Sequence, residues 1–522
     1  MNSLPSFLAA ASGPRGPSHD QRAACRAALA GAVALAVALG VGRFAFTPLL
    51  PLMLAGGELD IRHGGWLASA NYAGYFVGAM TCARIAVDPA RMVRAGLAAT
   101  VLLTFAMGLA SPFWVWALVR FVGGAVSAWT FVFASQWGLR RVVEHGAPAW
   151  GGVIYTGPGI GIVATGLIGF ALAGRHAALG WIGFAAASAV LTAFVWRAFG
   201  AAGAGTDGGQ SRGGAKRAGD GVGVADAAGR AGERLAAGAA EGAGAVADAV
   251  SAANVADTAD TANTANTANT ANSANSANSA NSANSANSAN SANSATATAE
   301  RNSPVAGVAG QHGAMAAPAA RAPHVESAAA RRDAFWLVLL YGLPGFGYII
   351  TATFLPVIAR AALPAHSRWP DLFWPMFGAA LIAGALLGAR LPSGWDNRLL
   401  LGACCAVQAL GVALGIVWPT APGFALGSAL VGLPFTAITL FAMREARRLR
   451  GERAAGLMGY ATASYGVGQI AGPLAAAPLA AHAGSFSPAL WLAATMLAVG
   501  AAGFAAVALR AWRAKTRGGG VG

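Results

Sequence analysis

The stretch GVGRFAFTPLLP, Gly40 to Pro51, and the stretch GFGYIITATFLP, Gly345 to Pro356, decide the fold of this chain. The first sits inside an apolar run from about Ala27 to Leu54. Both glycines, one leucine and the final proline recur at the same offsets, 305 residues apart. The first copy carries Arg43 where the second carries Tyr348. A cation near the centre of a bilayer helix costs about 2.5–3.5 kcal/mol on the mildest scales, so it normally faces a partner or a wet cavity. What Arg43 faces is therefore a question about function as well as fold.

Hydrophobic residues make up 56% of the 522 and charged residues 11%, with a mean hydropathy of +0.53. Soluble domains carry about twice that share of charge. The apolar residues come in blocks of roughly 20, the length a helix needs to cross about 30 Å of hydrocarbon. Candidate spans begin near Ala27, Gly64, Ala95, Phe113, Gly151 and Gly180, then near Asp333, Leu372, Arg398, Pro422, Ala454 and Ser487. The reading is an all-α membrane protein with twelve transmembrane helices in two pseudo-symmetric six-helix bundles. The head, Met1–Arg26, shows no cleaved-signal pattern, so the first span is expected to be retained.

Basic residues set the orientation. With the chain starting inside, 29 of the 35 Lys and Arg fall on the cytoplasmic side, four outside and two within the membrane. That is the positive-inside bias of a correct assignment, and one missed span would spoil it. Both termini are expected to be cytoplasmic, in a bacterial-type inner membrane. The same placement accounts for the formal charge of +15 without a nucleic-acid partner.

The expected organisation is a cytoplasmic tail (1–26), a six-helix bundle (27–200), a linker (201–332), a second bundle (333–511) and a tail (512–522). The linker holds a triplet repeat, TANTANTANSANSAN and onward, with an Asn and a Ser or Thr in nearly every triplet. Those residues oppose helix and leave no apolar face to bury, so the linker reads as disordered. Two similar six-helix halves related by an axis along the membrane normal form a transporter architecture with its site at their interface.

The motifs GVGRFAFTPLLPLM, GWLASANYAGYFVGA and GLPGFGYIITATFLP resemble the YbfB/YjiJ-like branch of the major facilitator superfamily. The resemblance spans nearly all of both halves and fails across the linker. It implies the major facilitator fold and transport of a solute, and singles out no particular solute. The superfamily's arginine-glycine pattern in the fourth helix resembles RFVGGAVSA, with Arg120 and Gly124. Its Gly-Pro pattern in the fifth resembles GPGIG, Gly157 to Gly161. The loop after the second helix, ARIAVDPARM, keeps Asp88 and Arg91 but lacks that family pattern's glycines and adjacent arginine.

Arg43 and Arg120 both sit roughly 10–16 Å beneath the outer surface, at about 1.5 Å per helical residue. Two arginines at one depth can present forked donors to a single anionic group. Either can instead hydrogen-bond freed backbone carbonyls near Pro48 or neighbouring polar side chains. No Asp, Glu or His falls in the interior of a predicted span, which disfavours a cationic substrate and leaves no obvious proton carrier. A coupling proton or counter-ion stays open. Asn71, Tyr72 and Tyr75 cluster on one turn of the second span, and Tyr348 is the counterpart of Arg43. Gln136, Thr436, Thr439, Tyr460, Tyr465 and Gln469 can complete a pocket, with interhelical hydrogen bonding as the alternative for each. Gly157-Pro158 and Gly472-Pro473 are expected to interrupt the fifth and eleventh spans, as bending points or as tight packing. Trp114, Trp116 and Trp369 lie near span ends, where interfacial anchoring explains them.

Cys25, Cys82, Cys404 and Cys405 form no CxxC pair or metal spacing, and no catalytic nucleophile or phosphate loop is visible. Neither an enzyme nor a metal or other cofactor is expected. The expected function is a secondary active or facilitative transporter of a small organic anion or polar metabolite, working in the lipid bilayer as a monomer by alternating access. Efflux of hydrophobic compounds is the alternative within transport, and a non-transporting sensor the alternative of another class.

Overall fold

The computed structural model describes residues 19–147, 150–200, 328–392, 394–451 and 454–518. Helices lie at all twelve expected places. They are α1 (His19–Ala55), α2 (Ile61–Thr81), α3 (Pro89–Leu109), α4 (Phe113–Glu144), α5 (Gly151–Ala171) and α6 (Ala177–Trp196). In the second half they are α7 (Ala328–Ala362), α8 (Trp369–Arg390), α9 (Asn397–Val417), α10 (Ala421–Arg450), α11 (Ala454–Ala483) and α12 (Ser487–Gly518). Ten of these are long and apolar enough to cross a membrane among the described residues. The other two, α2 and α11, are long enough but diluted by Gly, Ser, Asn, Gln and Tyr. They pack against each other across the two halves, as α5 does against α8. Their polar side chains Ser69, Asn71, Tyr72, Tyr465 and Gln469 are buried against protein.

Local chemistry sets many of the ends. Asp60, Asp88, Asp396 and Thr420 cap α2, α3, α9 and α10, each accepting a backbone amide two or three residues on. Such caps contribute about 1 kcal/mol each. Helix α1 starts at His19 and α12 runs to Gly518, so the regular structure reaches into both expected tails. Helix α7 starts at Ala328, five residues before the expected boundary, and the rest of the expected linker lies outside the described residues.

The duplication leaves a geometric signature. The Thr47 hydroxyl donates to the Ala352 carbonyl at 3.1 Å, a pair 305 residues apart. That is the offset between the two quoted stretches, so each residue meets its own counterpart, as positions beside a twofold axis must. Nearby, a Cβ built on Gly40 of α1 would lie 2.4 Å from the Cα of Gly161 on α5. Only glycines allow so close a backbone crossing.

Candidate functional site

Helix α1 is not regular through its middle. Residues Ala36–Val41 form a π turn, turns follow through Ala45, and α-helix resumes at Phe46. The π register moves the Gly42 amide onto the Val37 carbonyl at 3.0 Å, and π turns often mark functional sites. The carbonyls this loosening releases are taken by α4. Ser127 donates to the Ala38 carbonyl at 2.7 Å. Arg120 donates from Nη2 to the Arg43 carbonyl at 3.2 Å, with Nη1 at 3.5 Å from the Gly42 carbonyl.

Arg43 itself projects from this loosened stretch toward the second half, with 3% of its surface exposed. Its Nη2 donates to Oε1 of Gln469 on α11 at 2.5 Å. The Gln469 Nε2 in turn donates to the Tyr348 hydroxyl on α7. On the near side the guanidinium carbon lies 4.1 Å from the centre of the Tyr75 ring, 5.2 Å from Tyr72 and 5.3 Å from Phe44. Cation–π contacts of this kind contribute about 2 kcal/mol or more when desolvated. Tyr72 also reaches across the halves, its hydroxyl 3.0 Å from that of Thr353. Tyr348 packs edge-on to Phe435 and leans on Tyr465, whose ring also meets Tyr341.

Arg43 and Gln469 border a cavity at the seam of about 10 Å³, room for roughly one water. Arg43, Phe44 and Tyr155 line it from the first half, and Phe435, Thr436 and Gln469 from the second. The Thr436 hydroxyl is buried there without a hydrogen-bond partner. A buried polar atom left unsatisfied costs about 1–3 kcal/mol, so this one marks a place where a polar guest is favoured.

The two arginines expected to share one anion do not face the same space. Arg43 lines the seam, whereas Arg120 lines a separate cavity of about 20 Å³ within the first half, beside Thr100 and Trp181. Arg120 instead donates to the backbone, at the Arg43 carbonyl that the π turn leaves open. Asn71 also stays inside the first half, donating to the Arg120 carbonyl at 2.8 Å. Among the further pocket candidates, Tyr465, Thr439 and Gln469 are buried near the seam, Gln136 is half-buried on α4, and Tyr460 points outward at 71% exposure.

Helix α5 is interrupted as expected, with turns at Tyr155 and Thr156 just before Gly157-Pro158. Helix α11 is not interrupted: it runs unbroken through Gly472-Pro473. Ser69 of α2 donates to the Ile470 carbonyl at 2.8 Å, in the turn before that proline. Trp114 and Trp369 are exposed at span ends as anchors are, but Trp116 is buried and donates to the Met107 carbonyl.

Sequence reasoning passed over Thr353, Tyr155 and Phe435 as site residues. Thr353 is the counterpart of Pro48 in the duplicated stretch, a signal that comparing the two copies residue by residue would have caught. It also placed no acid inside a span, yet Glu445 near the end of α10 is 1% exposed. Arg398 and Arg448 hold it there, away from the seam cavity.

The family model described as "Uncharacterised MFS-type transporter YbfB" matches residues 35–219 and 289–504. None of the curated proteins matches the chain. The crystal structure of a mutant of the nucleoside transporter NupG is similar in fold, with a TM-score of 0.55. The likeness covers 92% of this chain and 99% of that one at 13% identity, and it bears on fold alone. With the paired six-helix halves and the seam cavity, these matches make the protein a multi-pass membrane transporter that belongs to the YbfB-type family of the major facilitator superfamily.

Proposed function

We propose that the protein carries a small organic anion or polar metabolite across a bacterial-type inner membrane by alternating access of its two halves. One observation carries this reading: the Arg43 guanidinium belongs to the first half but spends a hydrogen bond on Gln469 of the second, inside the seam cavity. A carboxylate or similar oxyanion entering there replaces the Gln469 amide oxygen, and gains a charge-assisted bond in exchange for a neutral one. Tyr72 and Tyr75 set the face of the guanidinium. Tyr348, Gln469 and Thr436 offer the polar contacts from the opposite half, so the grip on a solute depends on how the halves stand. Arg120 and Asn71 position this apparatus from behind, and Gly157-Pro158 supplies a bending point beside it. The basic-residue bias supports cytoplasmic termini. One chain carries both walls of the site, which supports a monomer as the working unit.

The test is a thermal-shift screen of the purified full chain against organic acids, sugars and amines. At least one acid is expected to stabilise it, and Arg43→Ala and Arg43→Gln should each weaken that response by about thirtyfold or more in apparent affinity. That magnitude corresponds to losing about 2 kcal/mol or more from a buried charged contact. Stabilisation by amines alone, or an unchanged acid response in both variants, removes the anion reading while leaving the transporter fold in place.

A further inference from the structure

A third cavity, far larger than the two already described, opens at the end of the first half where α3 begins and α4 ends. It encloses about 480 Å³ between the start of α3, the end of α4 and the residues after α6. That is within the range of small-molecule sites. Its floor is apolar: Trp137 and Phe199 are buried with ring centres 4.4 Å apart. Its walls carry Arg91, Arg94, Arg140 and Arg141.

The acids nearby do not balance these four guanidiniums. Asp88 spends a carboxylate oxygen on the Arg91 backbone amide at 3.0 Å, capping α3. Glu144 is shared between Arg141 at 3.2 Å and Arg140 at 3.6 Å. Four cations against these two carboxylates leave a surplus of two positive charges. Arg94 is fixed in place, since its Nε and Nη2 donate to the Trp196 carbonyl at 3.0 and 2.8 Å and its guanidinium sits 5.1 Å from the Trp196 ring. The corresponding end of the second half is built differently. There Arg398 is enclosed by Asp333, Asp396 and Glu445, within 3.4, 2.7 and 3.7 Å.

We propose that this basic cavity binds the phosphate headgroup of an anionic phospholipid. A soluble anion and a lipid phosphate present the same chemistry, but the surroundings favour the lipid. On α6, Val190 and Phe194, one turn apart and so on one face, are 59% and 85% exposed, an apolar wall for an acyl chain on the helix whose end borders the cavity. Trp196 ends that helix, the level at which tryptophan meets headgroups. Basic pockets between helices on the cytoplasmic side are the general form of such sites.

The full chain in phosphatidylcholine nanodiscs doped with phosphatidylglycerol provides the test, with bound lipid counted by native mass spectrometry. Wild type should retain phosphatidylglycerol over phosphatidylcholine, and the double variant Arg91→Gln, Arg140→Gln should weaken that retention roughly thirtyfold, at about 1 kcal/mol per basic residue. Its melting in pure phosphatidylcholine should stay unchanged. If the double variant does not fold, Arg91→Gln alone should cost about fivefold on the same scale. Equal retention by wild type and variant overturns the proposal. So does inorganic phosphate displacing the lipid at matched concentration, because the cavity would then be a site for free anions.

Discussion

Arg43 and Tyr348 hold matching places in the two halves, yet one stands on a broken helix and the other on a whole one. Helix α1 passes through a π turn beneath Arg43, while α7 runs helical for 35 residues, through Pro344 and Pro356 alike. The first half therefore combines a buried cation with loosened backbone and needs Ser127 and Arg120 of α4 to cover the exposed carbonyls. The second half contributes neutral partners from regular helix. The difference teaches that the two copies share a scaffold but differ in chemistry: one carries a buried cation, the other an amide and a hydroxyl.

The sharpest way to break this comparison is through Arg120. If it serves the backbone, Arg120→Gln should lower the melting temperature of the unliganded protein markedly, since an unsatisfied buried carbonyl costs about 1–3 kcal/mol. A variant that melts normally but loses solute affinity would instead make Arg120 a ligand contact and erase the contrast between the arginines. Next in size is Tyr348→Phe, which removes one neutral hydrogen bond from Gln469 and leaves the charge untouched. Solute affinity measured by thermal shift should fall about three- to tenfold, as expected for about 0.5–1.5 kcal/mol. A loss as large as that of Arg43→Ala would mean that the two halves recognise the solute equally.

The smallest effect concerns the charge cluster of the second half. Burial alone would raise the Asp396 pKa, but hydrogen bonds and charge from Arg398 outweigh it and hold the carboxyl below its ordinary value. A lowered native pKa means that this stability is complete above the unfolded value, about 3.9, and is lost as pH falls through the native one. Melting of wild type between about pH 5 and pH 2 should therefore decline more steeply than that of Asp396→Asn, by on the order of a degree or two. Parallel profiles would show that Asp333 and Glu445 suffice for Arg398.

Much of this was legible in the chain itself. Twenty-residue apolar blocks, the positions of the arginines and the recurrence of Gly40, Gly42, Leu50 and Pro51 point to paired six-helix halves. The π turn was not legible, because its register depends on Ser127 and Arg120 arriving from α4, a contact 77 or more residues away. For the same reason the partner of Arg120 stayed open between a ligand and a carbonyl. The continuity of α11 through Pro473 was not legible either, because α2 packs against it from the other half and Ser69 reaches a carbonyl 401 residues away. Glu445 escaped notice because hydropathy ends a span where charges begin, whereas α10 continues through them to Arg450. Local pattern specifies helices well, but it carries little about which distant side chain completes a defect.

The Gln469 amide stands as a placeholder on Arg43. If the proposed anion site holds, the amide occupies the oxygen position that a carboxylate would take on Arg43, so a visitor would have to evict it and part the Tyr348 bond behind it. Binding strength is reduced by that toll, and departure is helped by the amide swinging back. A receptor would suffer from such built-in competition; a carrier gains turnover from it, since cargo that is never held too tightly can be let go on the far side.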